Sequence, residues 1–134
     1  MHKRLAPKGL RVNPNYSHGI EVPPGMRFLA IAGQTGQRED GSVPEGIDAQ
    51  ADQAWTNLVA VLREAGMGPE HILHYTSYLV AGTDTGPYDA ARLRWLGAAR
   101  PASTKVYVAG LARPELLCEV QAFAAAPPTD EPVV

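Results

Sequence analysis

Arg100-Pro101-Ala102-Ser103-Thr104-Lys105-Val106-Tyr107-Val108 is the stretch that decides the fold, together with Leu116-Leu117-Cys118-Glu119-Val120-Gln121-Ala122-Phe123. Both stretches are rich in apolar, aromatic and β-branched residues, which is typical of strands. The residues from Gly110 to Glu115 connect them. We therefore expect the domain to end in two strands, and the elements before them to complete the same sheet.

The composition is typical of a single globular domain. Of the 134 residues, 45% are hydrophobic and 19% are charged, which suffices for one buried core. The formal net charge of −2 gives no general attraction to nucleic acid or to an anionic membrane, so neither is expected as a partner. The single cysteine, Cys118, cannot form an internal disulfide, and no apolar run follows the basic start of the chain. A cytoplasmic location is therefore expected.

Two strands and a long helix are predicted in the first half. The strands, His18–Val22 and Met26–Ala32, flank Pro23-Pro24-Gly25, and a proline followed by a glycine favours a tight turn. We expect these strands to pair as a hairpin. The helix begins near Asp48 and ends before Gly66. Its apolar residues recur at three- and four-residue steps, namely Ala51, Ala54, Trp55, Leu58, Val61, Leu62 and Ala65.

The second half completes the order β-β-α-β-α-β-β. Ile72–Val80 is predicted to be a strand, and a second helix opens at Thr83–Pro87, with proline tolerated in its first turn. Right-handed crossovers would place both helices on one face of a single mixed β-sheet, an α+β arrangement. Residues 1–13 are predicted to be an N-terminal arm, residues 14–126 the domain, and residues 127–134 a flexible tail.

The other face of this sheet is predicted to need a partner. Leu29 and Ile31 alternate with Phe28, Ala30 and Ala32, so apolar or small residues point to both faces of the strand. Two helices can cover only one of those faces. The simplest cover for the second is another copy of the chain, which predicts a homo-oligomer.

Five motifs, in one order and spacing, resemble those of a known family. They are Asn15-Tyr16-Ser17-His18, Ala32-Gly33-Gln34, Leu62-Arg63-Glu64-Ala65-Gly66, Arg100-Pro101-Ala102-Ser103-Thr104 and Leu117-Cys118-Glu119-Val120-Gln121-Ala122. Together they resemble the reactive intermediate deaminase (RidA/YjgF) family over roughly Pro14 to Ala124. Each motif is weak alone, but their combination is specific.

The resemblance implies a fold, an assembly and a reaction. The implied fold is the chorismate-mutase-like α+β fold, assembled as a homotrimer with three ligand clefts between neighbouring subunits. In the deaminase branch of the family, each cleft binds a small enamine or imine derived from an amino acid. Water is added to this compound and ammonia is released. The resemblance implies no metal and no organic cofactor.

The resemblance also implies roles for particular residues. Tyr16 matches the tyrosine that lines the cleft, and Gly33 matches the backbone that approaches the ligand. Asp89 falls near a position often occupied by asparagine. Ser103 stands where the deaminases keep an arginine that binds the substrate carboxylate, and Gln121 stands where they keep a glutamate that positions or activates the water.

Ser103 and Gln121, the two candidate catalytic positions, depart from the family pattern. Arginine binds a carboxylate through a planar, permanently charged fork, whereas serine offers one neutral hydroxyl. Glutamine can orient a water molecule but cannot accept its proton as a carboxylate would. Positioned acid–base groups typically contribute about 10²–10⁴-fold in rate. The standard reaction is therefore expected to be weakened.

Three further residues, Lys105, His18 and Cys118, are candidates for the site. Lys105 lies two residues after Ser103 and projects from the same strand face, so it is a candidate cation for an anionic ligand; the alternative is a solvated surface lysine. His18 shares the parity of Tyr16 and is either an acid or base at the site or a hydrogen-bonded strand residue. Cys118 is a further substrate-binding candidate. Its apolar neighbours indicate the alternative, a small buried side chain.

No metal site is expected from the sequence. His71 and His74 resemble a metal-binding pair in spacing, but residues three apart on a strand point to opposite faces.

Two hypotheses for the function follow. The first is a cofactor-free hydrolase that acts on a small imine, enamine or related metabolite through an altered cleft. The second is a non-catalytic trimer that binds small metabolites or regulates a pathway. Endoribonuclease activity has been attributed to some family members, but this acidic chain shows no basic groove or stacking platform that would support it.

Overall fold

A computed structural model describes residues 2–129 of the chain. Within these residues it contains six strands, two α-helices and one short 3₁₀-helix. In chain order they are β1 (Lys3–Leu5), β2 (Gly19–Glu21), β3 (Arg27–Thr35), α1 (Ile47–Glu64), the 3₁₀-helix (Pro69–His71), β4 (Ile72–Val80), α2 (Thr85–Leu96), β5 (Ala102–Val108) and β6 (Cys118–Ala126). The predicted tail falls partly on residues 130–134, which lie outside the described residues.

The central sheet has four strands in the order β3-β6-β4-β5. Strand β6 is antiparallel to both of its neighbours, β3 and β4, whereas β4 and β5 run parallel. The parallel pair is joined through α2, as a crossover connection requires. Helix α1 packs against β3, β6 and α2, which confirms the predicted mixed sheet with two helices on one face.

Helix α1 supplies most of the core because its apolar residues form one continuous stripe. Ala51, Ala54, Trp55, Leu58 and Leu62 are completely buried beneath the helix. The Trp55 ring packs edge-to-face on the ring of Tyr75 from β4, with the centroids 5.3 Å apart. The chain leaves the helix through Gly66, whose φ of 71° favours glycine.

Helix α2 is attached to β4 by polar contacts as well as by packing. At its start, the Oδ1 atom of Asp84 accepts a hydrogen bond of 3.0 Å from the Gly86 N–H, which caps the helix. One turn later the buried Tyr88 hydroxyl is hydrogen bonded to Ser77 of β4. Burial raises the pKa of the Tyr88 hydroxyl. These contacts hold α2 against the sheet, so that the residues after Tyr88, among them Asp89 and Arg92, lie over β4 and β5.

The predicted hairpin between the first two strands is wrong. Strand β2 pairs antiparallel with β1, in a separate two-stranded sheet, while β3 pairs with β6. The two prolines at 23 and 24 explain the difference, because proline has no N–H to donate to a ladder. The strand at Lys3–Leu5 lies inside the predicted arm, and the predicted boundaries at 13/14 and 126/127 stay predictions.

The sheet face opposite the helices carries exposed aromatic side chains. Phe28 and Phe123 are 67% and 40% exposed, and their rings stack with centroids 5.7 Å apart. Ala30 and Ala32 of β3 are also exposed. A continuous apolar surface of this kind is typical of an interface.

Candidate functional site

A cavity of about 380 Å³ opens on the helix side of the sheet, beside the edge strand β5. Its size is within the range of small-molecule sites. Three parts of the chain form its walls: the segment before β2, the strands β4 and β5, and helix α2. The lining residues are Asn13, Asn15, Tyr16, Tyr75, Ser77, Asp89, Arg92, Ser103 and Lys105.

Strand pairing places the polar side chains of β4 and β5 on one wall of this cavity. Tyr75 pairs with Ser103, and Ser77 pairs with Lys105. Residues paired across two strands share a face of the sheet, and so do residues two apart on one strand. The structure therefore confirms that Lys105 projects from the same face as Ser103.

Helix α2 adds a second cation and a carboxylate. Lys105 Nζ lies 2.8 Å from Asp89 Oδ1, 2.9 Å from Asp89 Oδ2 and 2.8 Å from Thr85 Oγ1. On the other side of Asp89, Arg92 Nη2 lies 3.4 Å from Oδ1. Arg92 Nη1 donates a hydrogen bond of 2.8 Å to the Tyr75 hydroxyl. Asp89 is thus held between two cations, and the predicted site residues Asp89, Lys105 and Ser103 lie in one cavity with Tyr16.

Arg92 is buried, and its charge is retained. The residue is 8% exposed, and its Nε atom is buried with no hydrogen-bond partner among the described residues. Burial alone lowers the pKa of Arg92, but the Tyr75 oxygen and the Asp89 carboxylate outweigh burial and raise it. The cavity therefore presents a fixed positive charge on its α2 wall.

Gln121 lies on the opposite face of the sheet from Ser103. It pairs with Thr76 of β4, whereas Ser103 and Lys105 pair with Tyr75 and Ser77. Thr76 alternates with its two neighbours, so within one subunit the two candidate catalytic side chains are separated by the sheet. The Tyr78 hydroxyl donates a hydrogen bond of 3.1 Å to Gln121 Oε1.

Gly33 lies on a second, more open cavity of about 530 Å³ that Gln34, Arg38 and Asn57 also line. Pairing of β3 with β6 shifts by one residue between Ile31 and Gln34, which makes Ala32-Gly33 a β-bulge. The Glu119 side chain lies directly over Gly33, in the space where a Cβ atom would be. Glu119 also shares a face with Gln121, because the two are two apart on β6.

The remaining candidates lie outside the first cavity. Cys118 is completely buried in the core, and burial, followed by the Glu119 carboxylate, raises the pKa of its thiol to about 12. His18 is exposed, and its Nε2 lies 2.7 Å from the Arg11 carbonyl oxygen. His71 Nδ1 accepts from the Gly68 N–H at 3.0 Å. In residues 2–129, no group of three or more His, Cys, Asp or Glu side chains could hold a metal ion.

Comparison with known proteins places the chain in a family. Residues 7–126 match the family described as Endoribonuclease L-PSP. The chain belongs to this family. Its relatives carry the Rid and RutC names, so the resemblance inferred from the five sequence motifs is confirmed. The family is known as a multimer.

Three similar proteins show the extent of the sequence and structural similarity. A RutC family protein of Aquifex aeolicus is 40% identical over 65 residues, which are 48% of this chain and 50% of that relative. The match thus spans about half the length of the curated relative. The crystal structure of YyfB from Yersinia pestis, a Rid family protein of unknown function, has a TM-score of 0.82 and 28% identity. That alignment covers 93% of this chain and 98% of YyfB.

The third is RidA from Psychrobacter sp. PAMC 21119, with a TM-score of 0.69 and 25% identity, covering 92% of this chain and 94% of RidA. These neighbours confirm the chorismate-mutase-like fold. No helix among residues 2–129 is both long and apolar enough to cross a membrane.

Five of the nine residues that line the cavity were not predicted as site residues, and Arg92 and Tyr75 are two of them. The three-residue step from Asp89 to Arg92 was the available signal, since it places the two on one helix face. For Tyr75, only the tertiary structure shows that its hydroxyl accepts a hydrogen bond from Arg92.

Proposed function

We propose that this protein binds a small imine, enamine or related metabolite in clefts between its subunits, and that it hydrolyses this compound to release ammonia. The catalytic groups would differ from those usual in the family. The observation that carries this proposal is the arrangement of the site. Ser103, Lys105, Asp89 and Tyr16 line one cavity, whereas Gln121 lies on the opposite face of the sheet.

Two copies of the chain would bring these halves together. One subunit would contribute the polar cavity beside β5, and its neighbour would contribute the face with Gly33, Glu119 and Gln121. A homotrimer, in which each subunit contributes both halves, would hold three such clefts. The exposed Phe28–Phe123 pair on the Gln121 face supports an interface there.

Hydrolysis requires a group that accepts a proton from the attacking water. The Gln121 amide, whose oxygen accepts a hydrogen bond from Tyr78, does not take up a proton near neutral pH, so this side chain can only orient a water molecule. Glu119 is a carboxylate on the same face and lies over Gly33. In the proposed reaction Glu119 takes a proton from the water, whose oxygen adds to the imine carbon, and returns it to the nitrogen to give a carbinolamine. Glu119 then moves the hydroxyl proton of the carbinolamine to the nitrogen, and the C–N bond breaks to leave a carbonyl product and ammonia.

The second candidate is a non-catalytic trimer that binds or regulates through the same clefts. The neutral Ser103 and Gln121 side chains favour it, because both usual charged groups of the family are absent. The two candidates differ in ammonia release alone.

Ammonia release from freshly generated 2-aminoacrylate tests the proposal. We expect the wild-type chain to accelerate release and Glu119→Gln to lower the rate by about 10²-fold or more, the usual contribution of a positioned base. A Ser103→Arg/Gln121→Glu double variant restores the family's groups and serves as the positive control. Release by the double variant alone would refute hydrolysis by the natural chain and leave the non-catalytic role as the proposal.

A further inference from the structure

The charges around the first cavity do not cancel. Its lining includes two cations, Arg92 and Lys105, and one carboxylate, Asp89. The other lining side chains are asparagine, serine and tyrosine, which are neutral near pH 7. The described walls of the cavity therefore carry a net charge of about +1. A ligand with one negative charge would balance it.

Arg92 has hydrogen-bonding capacity that the protein leaves unused. A guanidinium has five N–H donors. The structure gives Arg92 one short partner, Tyr75 at 2.8 Å, and one long one, Asp89 at 3.4 Å. Its Nε atom is buried and has no hydrogen-bond partner within residues 2–129, and the residue as a whole is more than nine-tenths buried. Buried donors without partners are rare in folded proteins, and a bound ligand is one of the partners that can satisfy them.

Lys105 is engaged differently, because its ammonium group makes three contacts to Asp89 and Thr85. An ammonium has three donors, so a ligand must share Lys105 with Asp89 or displace it. A carboxylate ligand can do so at little cost, since it offers the lysine the same kind of acceptor. Lys105 can exchange its partner Asp89 for a ligand, whereas Arg92 is buried and stays in place.

The short side chain at position 103 leaves the cavity open to a ligand between Arg92 and Lys105. Ser103 pairs with Tyr75, whose hydroxyl accepts from Arg92, so a long cationic side chain at 103 would enter the same cavity. The short, neutral serine is compatible with an anion-binding arginine that comes from helix α2.

We propose that this cavity selects ligands with a single negative charge, with Arg92 and Lys105 binding a carboxylate group and Asp89 disfavouring a second charge. The inference rests on the proposed function, because it takes the cavity as one half of the ligand cleft. Asp89 acts by charge: it neutralises one of the two cations, and a dianion would meet it as a like charge.

Calorimetric titration with three small probes at pH 7.5 tests the selection. Pyruvate carries one negative charge, pyruvamide is its neutral analogue, and malonate is a dianion. For the wild-type chain we expect pyruvate to bind at least about tenfold more tightly than pyruvamide, since a hydrogen bond to a charged group contributes this much or more. We also expect pyruvate to bind more tightly than malonate.

Substitutions then assign the roles. Arg92→Met and Lys105→Met should each weaken pyruvate binding by about tenfold or more and leave pyruvamide unchanged. Asp89→Asn should raise malonate affinity relative to pyruvate by about tenfold, because it leaves two uncompensated cations. Arg94→Met is the matched control: Arg94 is on the same helix, is exposed and is paired with Asp52, and its loss should change no affinity.

The design separates a folding defect from a binding defect. Arg92→Lys retains the charge in a residue of similar length and should retain part of the pyruvate affinity. Arg92→Met/Ser103→Arg returns a cation to the cavity from β5 and should recover binding that Arg92→Met loses. Thermal unfolding of each variant identifies any that is not folded. If Arg92→Met does not fold, pyruvate binding by Arg92→Lys and by Arg92→Met/Ser103→Arg shows whether a cation at this place binds the carboxylate.

Two outcomes would overturn the proposal. One is equal affinity of the wild-type chain for pyruvate and pyruvamide. The other is an Asp89→Asn variant whose preference between pyruvate and malonate is unchanged. If the chain nevertheless releases ammonia from 2-aminoacrylate, only the charge selection fails. A chain that binds none of the three probes and releases no ammonia refutes both the charge selection and the proposed function.

Discussion

Position 103 shows how one residue can be understood only with its neighbours. A serine cannot replace an arginine as a carboxylate ligand, because it has one neutral donor in place of a charged fork. In the folded chain, however, Ser103 is beside Tyr75 and shares a cavity with Arg92 and Lys105. The positive charge that the strand lacks at 103 is present on α2 and two residues further along β5.

Cys118 illustrates the reverse case, a reactive residue type that the fold makes inert. We expect its thiol to resist alkylation by iodoacetamide at pH 8 in the native protein, because it is completely buried and burial holds its pKa near 12. Mass spectrometry would follow the single adduct, since the chain has one cysteine. Labelling should begin only as urea unfolds the protein; rapid labelling without urea would contradict the burial.

The same thiol gives a pH dependence of stability with a definite sign. The pKa of Cys118 is raised from 9.0 when unfolded to about 12 when folded, so the unfolded state loses its proton first. Its contribution to the free energy of unfolding is complete below about pH 9 and is lost as the pH rises from 9 towards 12. Cys118→Ala should lower stability at neutral pH but make it less sensitive to pH in this window.

At the scale of elements, Gln50 connects helix α1 to the segment before β6. The residue is 2% exposed. Its Nε2 donates to the carbonyl oxygens of Pro44 at 3.1 Å and Glu115 at 2.9 Å, and its Oε1 accepts from the Leu117 N–H at 2.8 Å. A single buried amide thus satisfies backbone groups from two loops that have no strand to pair with.

Gln50→Leu should therefore destabilise the fold although it places an apolar side chain in a buried position. Each backbone group left unpaired costs about 1–3 kcal/mol in the free energy of unfolding. Urea denaturation monitored by circular dichroism would measure the loss. Gln53→Leu is the control on the same helix, because among the described residues the Gln53 side chain bonds only to Asn57, within α1. Equal stability of the two variants would show that the Gln50 bonds contribute nothing.

The elements also show why the paired strands differ from the prediction. Strand β2 was expected beside β3 because the two are adjacent in sequence and separated by Pro23-Pro24-Gly25. Local turn chemistry favoured that pairing. Strand β3 pairs instead with β6, in which Phe28 is opposite Ala125, 97 residues later in the chain. Strand β6 has nine residues and β2 has three, so β6 can pair along much more of β3.

At the scale of the whole molecule, the exposed sheet face predicts self-association. We expect light scattering to give about three times the mass of one chain, as a homotrimer requires. Phe28→Asp should dissociate the assembly, because a charge in an apolar interface loses its hydration without gaining a partner. Leu10→Asp replaces an exposed leucine outside the sheet and should leave the mass unchanged. A wild-type monomer would contradict both the trimer and the inter-subunit cleft.

The sequence by itself determined the order of the main elements, the α1 core stripe and the family, because these depend on periodicity and on motifs that are local in the chain. It also placed Lys105 and Ser103 on one face, since strand alternation is a property of neighbouring residues. Only the tertiary structure decided that Arg92 and Asp89 meet Lys105, and that the sheet separates Gln121 from Ser103. Those relations depend on strand order and helix placement, which are set by packing between residues that are distant in sequence.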